Sequence, residues 1–474
     1  MSRAGEHHPG PGAGTTELWG GPFVHPDHTT PMSSQPPPPS RGGRRLRNIV
    51  VTMALGATMF AVGAVMLTPS GNTAPPPAGH GQPDEAPRGS IEALQARVAR
   101  LPKDPGGWAA LGMAYVQQAR STADPATYDR AEKALRTSLS VQGRGNTDAE
   151  TAMGALAAAR HDFPAALRWA RKATTSGPYS SSAYGVLADA HTQLGHYDEA
   201  DEAVQKMTDL RPDAASLARA SYAFELKGNT ARARALMQRS LAAAATPADK
   251  AFAHSVLAGL DLQDSNPREA LARTQTALRT DPTDSALLET RARAYLALGD
   301  TTKAVADYRA AIAIAPLPHY LLGLGELEQA LGHRERAAQN YDLLRAQERI
   351  REAAGDPADT DAILFEADHG NPRRAVALAE GTLRNRPFVA VHDAYAWALH
   401  RAGQDTEALV QADKALAQGT RSALFRYHRA AIHHALGGPE AARRDLTEAL
   451  REPGFHPLHA DAARDLLQRI DTTS

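Results

Sequence analysis

The chain contains no cysteine. That absence excludes disulfides, thiol nucleophiles, thiolate metal sites and a lipid-modified N-terminal cysteine. Aromatic residues are scarce, at 5%, although hydrophobic residues reach 42%. Much of the apolar content is alanine, which suits closely spaced helices better than a core of large interlocking side chains. An excess of one charge is missing too: 52 Lys and Arg stand against 53 Asp and Glu. No net field draws in a polyanion, so a nucleic-acid partner is not expected. No GxxxxGK phosphate loop, GxSxG elbow, HExxH, calcium-loop or GxGxxG pattern occurs. The expectation is a binding protein rather than an enzyme, without a cofactor.

What is present divides the chain. Residues 1–48 are rich in Pro, Gly, Ser and His, with Pro36 to Pro39 in a row and no apolar periodicity, and a disordered tail is expected there. Residues 49–67 carry no charge; as a helix they would reach roughly 28 Å, close to the hydrocarbon thickness of a bilayer. Arg41, Arg44, Arg45 and Arg47 crowd the side before this run, and the next basic residue after it is Arg88. The positive-inside rule then puts the tail in the cytoplasm and everything after residue 67 outside it, on one transmembrane helix. The competing reading is a secreted protein released by signal cleavage, although the run exceeds the roughly 7–15 residues of a signal-peptide core. Residues 68–90, with Pro75 to Pro77, read as a semi-extended spacer.

From Ser90 the composition turns to alanine-rich helix. Residues 91–103 form an amphipathic helix, with Ile91, Leu94, Val98 and Leu101 on one face and Ser90 as its N-cap. Residues 104–456 are periodic. A marker alanine recurs at Ala131, Ala166, Ala200, Ala233, Ala270, Ala304, Ala337, Ala375, Ala408 and Ala442, a step of about 34 residues. Five residues before the marker stand Gly195, Gly228, Gly299, Gly332, Gly370, Gly403 and Gly437, where 37 glycines in 474 residues would place fewer than one by chance. A tight turn between two helices needs a residue tolerant of left-handed backbone angles at that point. Pro178, Pro212, Pro282, Pro316 and Pro387, twelve residues after the marker, stop the second helix. Residues 457–474 supply a closing amphipathic helix, as a repeat stack requires at its end.

Trp108, Leu111, Gly112 and Tyr115 match the W-x2-L-G-x2-Y opening of the tetratricopeptide repeat, and with the marker series the array resembles that family, in a membrane-anchored bacterial form. The resemblance implies an all-α, right-handed superhelical solenoid of about ten hairpins that binds proteins or peptides on a concave groove lined by the first helices. Applying the family's groove phase gives Asp189, Tyr222, Glu225, Arg293, Glu326, Asp393, Trp397, His400, Arg401, Tyr427 and His434. Trp397, Arg401 and Tyr427 are residue types that dominate interface energies and are expected to form one patch. The family's carboxylate-clamp variant needs Asn and Lys where this chain has Asp189, Tyr222, Gly259, Arg293 and Trp397, which argues against recognition of chaperone tails. Two alternatives stay open. One is an exported metal-handling protein using the C-terminal histidines, with His400 and His434 in equivalent places on successive first helices. The other follows from a similarity of residues 91–115 to periplasmic modules of the family that hold apocytochromes.

Overall fold

The computed structural model describes residues 90–122, 125–353 and 357–473. The expected tail, membrane span and most of the spacer, residues 1–89, lie outside the described residues. Among those described, no helix is long and apolar enough to cross a membrane, and there are 22 helices and no strand.

Helix α1 (Ile91–Arg100) precedes ten antiparallel pairs. They are α2 (Pro105–Thr122) with α3 (Pro125–Val141), α4 (Thr147–Ala159) with α5 (Phe163–Ser176), α6 (Ser181–Gln193) with α7 (Tyr197–Leu210), and α8 (Ala214–Leu226) with α9 (Thr230–Ala243). Then follow α10 (Pro247–Gln263) with α11 (Pro267–Leu278), α12 (Ser285–Ala297) with α13 (Thr301–Ile314), and α14 (Pro318–Ala330) with α15 (Arg334–Ala353). The last three are α16 (Thr360–His369) with α17 (Pro372–Leu383), α18 (Val389–Arg401) with α19 (Asp405–Leu416), and α20 (Ala423–Ala435) with α21 (Pro439–Ala449), before the closing α22 (His459–Thr473).

Each pair closes on its marker alanine. All ten are buried, eight of them completely, because only a side chain this small lets the two helices meet without a gap. One turn later Met237, Tyr308, Tyr341 and Leu446 fill the space toward the next pair and are likewise buried. At the turns, Gly195, Gly228, Gly299, Gly332, Gly403 and Gly437 adopt φ between +70° and +80°. Where glycine is missing from the same register, His161 (φ 59°) and Ser265 (φ 63°) take the left-handed conformation instead. The turn geometry is therefore kept even against the steric preference of an L side chain. Gly370 departs from expectation. Its φ is −134°, and there the Glu366 carboxylate accepts from the Asn371 backbone N–H at 3.0 Å, closing the turn by another route.

The stack also folds onto itself. Loops after hairpins eight, nine and ten meet the turns of hairpins three, four and five. Arg386 donates to Gln193 at 2.7 Å across 193 residues of sequence, pairs with Asp359 at 3.3 Å and lies between the rings of Phe163 and Phe388. The backbone N–H of Val389 donates to the Tyr197 hydroxyl at 3.1 Å. Thr420 donates to the Leu226 carbonyl at 2.8 Å, Arg421 reaches Thr230 and Asp264, and Ser265 donates to the Arg451 carbonyl.

This seam is testable at glycine. Gly437 and Gly228 share the left-handed conformation, but a Cβ on Gly437 meets open space whereas one on Gly228 would lie 2.2 Å from the Gly419 carbonyl oxygen. Gly437→Ala should cost about 1–2 kcal/mol for backbone strain alone. Gly228→Ala should cost at least about 1 kcal/mol more, read from urea midpoints, and equal costs would show that the two arms do not touch in solution.

Candidate functional site

The groove-phase residues fall into two stretches with different surroundings. In hairpins three to six, Asp189 on α6 accepts from Arg219 Nε at 2.9 Å and Nη2 at 2.8 Å. Burial raises the Asp189 carboxyl, opposed by Arg219. Beside this pair Gln193, Tyr197, Tyr222 and, from the loop after hairpin nine, Gln418 line a cavity of about 40 Å3, room enough for ordered water. Glu225 accepts from Gln263 at 3.0 Å. Arg293 keeps its side chain 40% exposed, with Glu289 at 3.9 Å. Burial nonetheless pushes up the carboxyls of Glu225, Glu289 and Glu452. Arg293 and Glu225 are thus partly buried on first helices and still touch solvent.

The second stretch, in hairpins seven to ten, is covered. Trp397 is 3% exposed; its Nε1 donates to Asp368 at 2.9 Å and its ring stacks on His428 at 4.3 Å. Asp393 is buried and accepts from His428 Nδ1 at 3.0 Å. Tyr427 is buried, stacked on His459 at 4.9 Å, and burial pushes its hydroxyl up to about 12. Glu326 is buried between His369 Nε2 at 3.2 Å and His456 Nε2 at 3.1 Å. Burial alone would raise its carboxyl, and the two imidazoles hold it below the usual range instead.

The expected patch therefore needs correcting. Trp397 and Tyr427 do come together, but inside a core that includes Leu466 and Ile470 of α22, with Asp393 joined to them through His428. The closing helix and residues 451–459 fold over them. Arg401 stays at the surface, its Nε 3.4 Å from Asp368 and its guanidinium over the Trp397 ring at 5.9 Å. His400 and His434 do not act as a pair: His400 Nδ1 lies 2.5 Å from Asp405 at the start of α19, whereas His434 is exposed. Among the described residues no group of three His, Asp or Glu side chains is arranged to hold a metal ion.

Sequence reasoning missed Asp368 and His369, and read His428, His456 and His459 only as members of the C-terminal histidine group. A signal existed for Asp368, which stands seven residues before its marker Ala375, the register of Arg401 before Ala408; these equivalent positions pair across adjacent hairpins. Nothing in the sequence placed His456 and His459 on Glu326 and Asp368, because that depends on the chain turning back after hairpin ten.

The comparisons with known proteins follow this architecture. Tetratricopeptide repeat family models match residues 181–213, the third hairpin, and residues 257–317, from α10 through α13. No curated protein sequence matches the chain. Among solved structures, a tetratricopeptide repeat protein from Parabacteroides merdae is 22% identical over 54% of this chain and 98% of that chain, with a TM-score of 0.32. The human IFIT1 dimer with m7Gppp-AAAA is 15% identical over 69% and 76%, at 0.46, and yeast Tom70 is 13% identical over 81% and 92%, at 0.33.

Two measurements check the buried stretch. Trp397→Ala should destabilise the C-terminal hairpins by about 3–5 kcal/mol, whereas Arg401→Ala, at the surface, should cost under about 1 kcal/mol. The second concerns acid. His459 is pushed down from 6.5 to about 4, by burial first and then by His456 and His428, against Asp368, which raises it. A histidine lowered on folding contributes its full stability above 6.5 and loses it as pH falls toward 4. From pH 7 to pH 5 the C-terminal hairpins should lose about 2 kcal/mol, read by amide exchange in α20 and α22. Asp368, raised by burial but lowered further by His459 and Trp397, gives up its contribution only at more acid pH. His459→Gln should flatten the slope between pH 7 and 5.

Proposed function

We propose that this tetratricopeptide-repeat protein is a membrane-tethered, non-catalytic scaffold that captures a protein partner on the first-helix wall of hairpins three to six. The observation that carries it is the charge left on that wall: Arg293 is two-fifths exposed, with Glu289 at 3.9 Å its nearest carboxylate among the described residues, and it acts on Glu225 of a neighbouring first helix. A residue retained for packing alone would be apolar at such a place, and a partly exposed arginine is a common anchor for a partner segment. The tether is supported by the uncharged residues 49–67 and the arginines before them, which put the array outside the cytoplasm.

Photo-crosslinking from Tyr222 or Arg293 in the full-length chain identifies the partner. Arg293→Glu should then weaken its binding by about 1–3 kcal/mol without changing helicity or melting. Saturable binding that ignores both Arg293→Glu and Tyr222→Ala would remove the proposed wall. Protease added to intact cells or spheroplasts should digest residues 90–474, and their full protection would refute the orientation.

A further inference from the structure

After α21 the chain turns back. Residues 451–459 run over the first helices of hairpins seven to ten instead of continuing the stack. Gly454 makes the bend, with φ 62° and a backbone so close to α12 that a Cβ would lie 3.0 Å from the Ala297 Cα. Beyond it Phe455 packs on Tyr427 at 6.2 Å. His456 and His459 stack on each other at 4.2 Å and reach Glu326 at 3.1 Å and Asp368 at 3.4 Å. The His456 tautomer follows from its contacts: Nδ1 accepts from the backbone N–H of Leu458 and His459, so Nε2 carries the proton and donates to Glu326. The segment thus holds on by one aromatic ring and two imidazoles that sit three residues apart, each imidazole on a buried or nearly buried carboxylate.

We infer that residues 451–459 are a built-in occupant of the binding face. They fill the place where a partner segment carrying an aromatic side chain and two imidazole or cationic side chains three residues apart docks. The inference rests on the scaffold reading and extends it to a second stretch of the same surface. The residues beneath the segment are the ones that groove phase selects: Glu326, Trp397 and Tyr427. Lifting the segment uncovers the Glu326 and Asp368 carboxylates beside the faces of Trp397 and Tyr427, a surface complementary to a cation and a ring together. An arginine or lysine in place of either imidazole would form a charge-assisted bond with the same carboxylate. A partner therefore has a route to displace the segment, and its apparent affinity is reduced by the fraction of molecules in which the segment is docked.

The test uses the full chain and a synthetic peptide of residues 450–461 with arginine at both imidazole positions. Gly454→Val, which the Ala297 contact and the left-handed backbone both oppose, should undock the segment and bind this peptide at least about tenfold more tightly than the unmodified chain. A peptide with aspartate at the two positions should not bind. In the unmodified chain, saturating arginine peptide should raise amide exchange at residues 454–459. His456→Ala combined with His459→Ala serves as a second undocked variant should Gly454→Val not fold. The inference is overturned if a folded undocked variant binds the peptide no better than the unmodified chain, or if exchange at residues 454–459 stays constant at saturation. Dimerisation of the variant through exchange of residues 451–473 would also overturn it, since the occupant would then be a second copy. Failure on any of these grounds leaves the Arg293 crosslinking result standing, because that wall lies on other hairpins.

Discussion

Ten alanine contacts set the geometry on which the molecule depends. At each, the second helix of a hairpin lies against the first at a residue with no side chain beyond Cβ, and Ala166, Ala233, Ala270, Ala304 and Ala442 are wholly buried there. Small residues at the crossing bring the helix axes close, and bulkier ones, such as Tyr308 and Leu446, keep the next hairpin at its proper distance. Repeating this unequal spacing makes every hairpin rotate relative to the last, and the rotation accumulates.

The accumulated rotation explains the seam. By hairpin eight the stack has come round far enough for Arg386 to reach Gln193, and Val389 to reach Tyr197. Two surfaces that are remote in sequence then become one interface, sealed by backbone approaches that tolerate only glycine, as at Gly195 against Pro387 and Gly228 against Gly419. Arg293 and Glu225 keep some solvent contact; burial raises the Glu225 carboxyl, opposed by its bond from Gln263 and then by Arg293.

Where the concave face meets the chain's own end, the same kind of residue serves another purpose. Trp397, placed by register on the groove, spends its indole N–H on Asp368 and its ring on His428. The expected exposure does not hold, since exposure depends on what lies opposite. Asp368 shows the complementary case: its equivalence with Arg401 could be read from the chain, yet only the contact between neighbouring hairpins turns that equivalence into a pair.

Sequence alone determined the unit and its punctuation. The spacing of alanines, the left-handed turn register and the prolines after second helices act between residues within one hairpin or its neighbour, so a local pattern suffices to encode them. His161 and Ser265 occupy that register without glycine, showing that the turn is dictated by the packing of its two helices and glycine only eases it. Tertiary structure decided what faces water. The Arg386–Gln193 bond spans 193 residues, and its existence depends on small rotations summed over five intervening hairpins, a quantity no single repeat carries. The fate of Trp397, Tyr427 and Glu326 was decided in the same way, by the return of residues 451–459, because burial is a property of two surfaces and the sequence describes each of them separately.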